Sequence, residues 1–189
     1  MCLAGAAAGV HHSVFIDGKG RLSSCGSAPN HIRGLLGHGE GVTRLITPTR
    51  LVSMLGAERA VSVWAGLNHS LALTAPDGAV WSWGGGGNGR LGHGDQQDQL
   101  LPKKIEAFAG RRVVAVSAGA AHSLALTANG AVWSWGYGAR GRLGHSGYQR
   151  RSRPLLASAS SLCRLEAATA SPSPPTAQCE AGAGEPGAV

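Results

Sequence analysis

The segment Ala-Val-Trp-Ser-Trp-Gly occurs twice in this chain, at 79–84 and 131–136, and a degraded form, Arg21-Leu-Ser-Ser-Cys-Gly26, stands upstream. Repetition of this kind constrains folding more tightly than composition does. A repeated segment encodes one supersecondary unit several times, and each unit must bury its apolar face against the next. The neighbours recur in the same order. A Gly-x-x-His-Ser turn comes first, as Gly9-Val-His-His-Ser13, Gly66-Leu-Asn-His-Ser70 and Gly119-Ala-Ala-His-Ser123, spaced 57 and 53 residues. A Gly-x-Leu-Gly-His element follows at 34–38, 89–93 and 141–145, spaced 55 and 52, and then Pro48, Pro102 and Pro154, spaced 54 and 52. The period is about fifty residues.

Within one period the pattern is that of strands. Val113–Ala118 and Ser123–Thr127 alternate apolar with small or polar residues, and Ala131, Trp133 and Trp135 share one face of the next segment. A period of two marks a strand. Asp77-Gly78 and Asn129-Gly130 predict hairpin turns with a positive φ at both residues. A short fourth strand is expected after each proline, as at Lys103-Lys104-Ile105, and on a sheet edge, because proline donates no ladder hydrogen bond. Four short strands per period describe a propeller blade, so the fold class is all-β, a partial β-propeller of about three four-stranded blades. Ala118, Gly119 and Ala120 are small enough for strands to approach closely near a central axis. Trp81, Trp83, Trp133 and Trp135 are sized to fill the wedges between blades. Each would bury roughly 200 Å², at about 25 cal/mol per Å².

The repeat region is placed at 1–154, with copies at about 1–48, 49–102 and 103–154. Leu162–Ala168 looks like the start of a fourth copy, although no His-Ser turn follows it. From 155 to 189, 21 of 35 residues are Ala, Ser, Pro or Gly. Such a stretch buries too little apolar surface to offset its ordering entropy, so a disordered C-terminal tail is expected.

The formal net charge is +7, unevenly placed: Ala107 to Leu165 contains no acidic residue but holds Arg111, Arg112, Arg140, Arg142, Arg150, Arg151 and Arg153. A basic third of a domain attracts nucleic acid, acidic protein segments or anionic lipid. Cys2, Cys25, Cys163 and Cys179 form no CxxC pair, which reads as free thiols in a reducing compartment. The apolar start, Met1–Val10, lacks a basic n-region and runs directly into the first repeat, so it is read as part of a truncated domain. No run reaches the length of a membrane span.

The order Val-x-x-Gly-x-x-His-Ser-Leu-Ala-Leu, Gly-x-Val-x-x-Trp-Gly, Gly-x-Leu-Gly-His, Pro resembles the repeat of the regulator of chromosome condensation family. Val63–Pro102 and Val116–Pro154 match it closely; the first copy matches at its glycines, His12-Ser13 and Leu36-Gly37, with Cys25 where tryptophan is usual. The resemblance implies a propeller that normally closes with seven blades. Three copies cannot close such a ring, so two faces with apolar surface and unpaired strand edges are expected to lie open. The chain is expected to be a fragment of a longer repeat protein, or to complete a ring with other copies or a missing half.

The glycine-rich Gly84–Gly92 has phosphate-loop spacing but no helix after it, and its counterpart Gly136–Gly144 marks it as the repeat's own turn. Six histidines fall at repeat positions, His12, His69 and His122, and His38, His93 and His145. Repeat positions diverge around an arc, so they are read as bonding turn backbone inside each blade, not as metal ligands. Adjacent Ser-His residues point to opposite strand faces, which argues against a nucleophile pair. No catalytic, cofactor-binding or metal site is expected. In the ultraviolet-sensing branch of the family, sensing tryptophans follow the turn glycine; Leu67 and Ala120 stand there, and Trp64 is read as packing. His69, Trp83, His93, His122, Trp135 and His145 are structural repeat positions, while the partner-contact candidates are the loop residues Asn88, Arg90, Asp95, Asp98, Tyr137, Arg140, Tyr148, Arg150 and Arg151.

The leading expectation is a non-catalytic propeller-type module that binds a protein partner, within a larger adaptor, in the cytoplasm or nucleus. Two alternatives stay open. One is guanine-nucleotide exchange on a Ran-type small GTPase, the activity of the family's founding member. The other is chromatin or DNA binding through the basic third repeat. Self-association is a further outcome of an open ring.

Overall fold

The computed structural model describes residues 2–29, 31–51, 58–144 and 150–156; of the expected tail only Leu155 and Leu156 are described, as the end of a strand, and the rest of it and the fourth-copy segment lie outside them. β1 (Leu3–Ala8), β2 (His12–Asp17), β3 (Leu22–Ser27) and β4 (Arg44–Arg50) make the first sheet. β5 (Arg59–Ala65), β6 (His69–Ala75), β7 (Val80–Gly84) and β8 (Gln99–Lys104) make the second. β9 (Val113–Ala118), β10 (His122–Thr127), β11 (Val132–Tyr137) and β12 (Arg150–Leu156) make the third. Each is an antiparallel meander whose spatial order is its chain order. These three four-stranded sheets are the partial propeller that the repeat predicts.

Two local features differ from the sequence expectation. The Asn129-Gly130 turn is not a two-residue loop with both residues left-handed. Thr127 N donates to Ala131 O (2.9 Å) and Gly130 N to Thr127 O (2.9 Å), enclosing three residues, and the glycine is left-handed at φ 81°. This is the three-residue hairpin with a glycine bulge. Asn129 keeps a negative φ because its Oδ1 accepts from the Thr127 hydroxyl (2.7 Å) and from Ala131 N (3.3 Å). The prolines, in turn, lie inside the fourth strands, not before them. β4, β8 and β12 are outer edge strands, and each pairing shifts register beside its proline. A bulge on an edge is where a residue without an N–H costs least.

The apolar core lies between sheets. Val14, Ile16 and Leu22 of the first sheet, with Leu51 just after it, meet Ala60, Val63, Ala72 and Trp83 of the second. Leu71, Leu73 and Val80 of the second sheet, with Ile105 and Phe108 just after it, meet Val113, Val116, Ala125 and Trp135 of the third. The second sheet therefore uses one face toward the first and the other toward the third. Trp83 and Trp135 are 0% exposed and fill the two wedges, whereas Trp81 and Trp133 are half-buried at their margins. Backbone bonds tie hairpins to the next sheet: Ala60 N to Gly20 O (3.0 Å) and Val113 N to Gly78 O (3.2 Å).

Candidate functional site

The repeated histidines are the natural place to look for chemistry, and the sheets assign them two different jobs. The turn histidine reaches across the wedge. His12 Nε2 lies 2.7 Å from Ser70 Oγ, and His69 Nε2 lies 3.0 Å from Ser123 Oγ. This corrects the sequence expectation of bonding inside one blade: the partner stands 58 or 54 residues away, in the next sheet. The second histidine stays within its own repeat but meets a serine hydroxyl and not turn backbone, with His38 Nε2 3.1 Å from Ser24 Oγ and His93 Nε2 2.9 Å from Ser82 Oγ.

The protons can be followed. Ser123 Oγ donates its one hydrogen to the Arg90 carbonyl (2.9 Å), so His69 Nε2 must carry the hydrogen that joins it to Ser123. Ser24 and Ser82 likewise donate to the Leu36 (2.7 Å) and Leu91 (2.8 Å) carbonyls, and accept from His38 and His93. Burial, then the charge of His11, lowers the His12 pKa to about 4. Burial first, then the charges of Arg90, His12 and His122, lowers that of His69 to about 3. His12 and His69 are therefore neutral at pH 7, with His69, like His38 and His93, donating to its serine, and the Nδ1 atoms of His12, His69 and His122 have no partner among the described residues. A base poised beside a serine needs the opposite arrangement, an unprotonated nitrogen facing the hydroxyl.

The Gly-x-Leu-Gly loop completes each joint. The Arg90 carbonyl also accepts from Trp135 Nε1 (2.8 Å), while the Arg90 guanidinium donates to the carbonyls of Gly87 (2.8 Å) and Ala120 (3.3 Å). Arg90, expected in an exposed contact loop, is 8% exposed and serves as a clamp between the second and third sheets. A charge on one side of a glycine loop gave no sign of this. Asp98 is committed in the same way, accepting from Gly86 N (2.9 Å) and Arg33 N (2.9 Å) to tie the loops of two sheets together.

The remaining described contact candidates stand at the same end of the sheets. Asp95 is exposed, and Asn88 is half-buried at φ 63°. Arg140 is exposed at φ 62°, and Tyr137 lies beneath the Arg142 guanidinium, 5.1 Å from its ring centroid. Arg150 pairs with Tyr137 and Arg151 with Gly136 on the β11–β12 ladder. His145 and Tyr148 lie outside the described residues. Strand direction divides the basic run: Arg140, Arg142, Arg150 and Arg151 sit at this end, while Arg111 and Arg112 precede β9 at the hairpin end. Among the described residues no His, Cys, Asp and Glu group is arranged to hold a metal ion, and no helix is long and apolar enough to cross a membrane.

Residues 77–126 and 129–170 match the Regulator of chromosome condensation (RCC1) repeat, and 60–90 and 113–142 match a second description of the same repeat. The chain belongs to the RCC1 repeat family. This RCC1-repeat chain is 36% identical over 151 residues to the E3 ubiquitin-protein ligase HERC2 of Mus musculus, a match covering 79% of the chain and 3% of HERC2. It is 44% identical over 111 residues to the Ultraviolet-B receptor UVR8 of Arabidopsis thaliana, covering 59% of the chain and 24% of UVR8. Yeast RCC1 (Prp20) in its complex with Kap60 superposes at a TM-score of 0.72 with 23% identity, over 84% of this chain and 38% of that one. Prp20p of Saccharomyces cerevisiae, studied for its binding to Gsp1p and histones, superposes at 0.68 with 25% identity, over 82% and 37%. The RCC1-repeat chain thus spans a minor part of each relative.

The RCC1 repeat also shows where this chain's copies diverge. Cys25, at the place of Trp83 and Trp135, is a half-buried free thiol. The cross-strand pairs Ala72–Trp81 and Ala125–Trp133 become Phe15–Ser23 in the first sheet, so the ring moves to the neighbouring strand. At the other end of the stack, Leu124, Leu126 and Val132 are half-buried, whereas Leu71, Leu73 and Val80 at the same repeat positions are 0%, 5% and 0% exposed. Trp64 packs against the core between the second and third sheets.

Proposed function

We propose that this chain is a non-catalytic, propeller-type interaction segment of a longer repeat protein or adaptor, whose repeat residues join sheets and whose variable loops meet a protein partner. The observation that carries this reading is the His69–Ser123–Arg90 arrangement, in which hydroxyl, imidazole and carbonyl are all consumed in holding two sheets together. What varies between copies is the loop end, where half-buried Asn88 in the second repeat gives way to exposed Arg140 in the third at the same left-handed position, and where the second repeat also exposes Asp95. Loops on a rigid scaffold are where propellers carry recognition. Nucleotide exchange draws on acidic loop residues, and of the two in the second repeat Asp98 is spent on backbone amides. DNA binding draws on a continuous basic face, and here the arginines are split between two ends.

The test joins two assays. Photo-crosslinking from positions 95 and 140 is expected to capture discrete proteins, with the captured set changed by Asp95→Lys or Arg140→Glu. Nucleotide release from a Ran-type GTPase, followed by stopped-flow fluorescence, is expected to be unchanged by the chain. Clear acceleration of release, or crosslinks indifferent to both charge reversals, would overturn the reading.

A further inference from the structure

At the hairpin end, the second and third sheets carry opposite charges at one repeat position. Glu58, eight residues before Gly66, accepts from Trp81 Nε1 (3.1 Å) and from the Thr74 hydroxyl, and pairs with Lys104 Nζ (3.0 Å). Burial raises its pKa, but the hydrogen bonds from Thr74, Lys104 and Trp81 outweigh that and leave it lowered, so the carboxylate is charged. Eight residues before Gly119 stands Arg111. Opposite the tryptophan, the place of Lys104 is taken by Leu156.

The consequence is an incomplete copy of the carboxylate site. Trp133 Nε1 is buried with no acceptor among the described residues. The Thr127 hydroxyl meets Asn129 Oδ1 (2.7 Å) where Thr74 meets Glu58, while both threonines keep the turn carbonyl, Ala131 O (2.9 Å) and Ala79 O (3.2 Å). Arg111 lies over the indole, 5.2 Å from its centroid, tethered by one bond to the Ala107 carbonyl (2.9 Å). A cavity of about 250 Å³ is lined by Arg111, Arg112, Thr127, Asn129 and Trp133. Both arginines are exposed.

We propose that this cavity takes a carboxylate from outside the chain: an Asp or Glu side chain of an acidic peptide segment, standing where Glu58 stands in the neighbouring sheet. The elements of recognition are present. A buried indole N–H needs an acceptor. Two guanidiniums present forked donors that match a carboxylate, with no acid of the chain's own beside them in sequence from 107 to 165. Arg111 is free to swing from the indole onto the incoming group, since only its backbone tether must break. The proposal deepens the interaction reading by naming a partner chemistry, but it uses the end of the sheets opposite the loops.

Indole ¹H–¹⁵N spectra of the full chain, titrated with a deca-glutamate peptide, test it. The Trp133 Nε1–H resonance, identified by its loss in Trp133→Phe, is expected to move and saturate while those of Trp83 and Trp135 stay fixed. Arg112→Ala, a change at an exposed side chain, is expected to weaken the peptide about tenfold. Arg111→Glu is expected to move the same resonance without peptide, by restoring the internal acceptor, and to abolish the peptide response. A Trp133 resonance unmoved by peptide in the unaltered chain overturns the proposal, as does a short DNA duplex that shifts it equally at the same salt. Crosslinks from the loop end are unaffected by these variants, so failure here is separable from failure of the interaction reading.

Discussion

Trp83 and Trp135 occupy the same repeat position, are both 0% exposed, and differ in one respect: Trp135 Nε1 donates to the Arg90 carbonyl at 2.8 Å, and Trp83 Nε1 has no partner among the described residues. Replacing each by phenylalanine removes similar ring volume from a similar wedge, so the cavity contribution cancels to first order. Trp135→Phe also deletes a buried hydrogen bond, a net loss of about 1 kcal/mol. Trp83→Phe deletes an unpaired buried donor, a relief of about 1 kcal/mol or more. Trp135→Phe should therefore be the more destabilising by about 2 kcal/mol. With a urea slope of about 2 kcal/mol per M for a chain of this size, the two midpoints would separate by about 1 M. Circular dichroism reads the transition without relying on the altered fluorophores. Equal midpoints, or the reverse order, would refute the assignment of the Arg90 carbonyl as the acceptor that anchors the third sheet.

Other consequences follow from the same joints. His12 and His69 have pKa values lowered by burial, so the unfolded chain binds protons between about pH 4 and 6.5 that the folded chain refuses. Stability is therefore full above about pH 6.5 and falls below it, by up to about 1.4 kcal/mol per pH unit per imidazole, which urea midpoints across that range will show. A Cβ at Gly66 would stand 2.6 Å from the Gly119 carbonyl of the next sheet, so Gly66→Ala should cost about 2 kcal/mol or more in a melt. Gly130 at φ 81° meets nothing within 4 Å, so Gly130→Ala should cost about 1 kcal/mol, the conformational penalty alone. His69→Ala breaks a buried bond to Ser123 and should cost about 2 kcal/mol, and more than His122→Ala at the half-buried equivalent position.

The sheets were legible because their determinants are local. Alternation along 131–135 places Trp133 and Trp135 on one face, and proline spacing marks the edge strands, whatever the rest of the chain does. The joints were not legible, because their partners are distant. Nothing near His12 announces Ser70, and no property of Arg90 distinguishes a buried clamp from an exposed contact. The turn chemistry was misjudged for a local reason: Asn129 satisfies its neighbours with its side chain, which removes the need for a left-handed backbone. The carboxylate site could have been found by aligning the copies. Glu58 and Arg111 hold one register position, and a reversal of charge beside a retained tryptophan is visible without coordinates.

The claim on which the account rests is that the repeated histidines are neutral donors that bind one sheet to the next. Long-range ¹H–¹⁵N spectra of the imidazoles test it directly. His12 and His69 are expected to remain neutral, with hydrogen on Nε2 and a bare Nδ1, from neutral pH down to about pH 5. An imidazolium at neutral pH, or hydrogen on Nδ1 with Nε2 bare toward the serine, would contradict the account and reopen a chemical role for the pair.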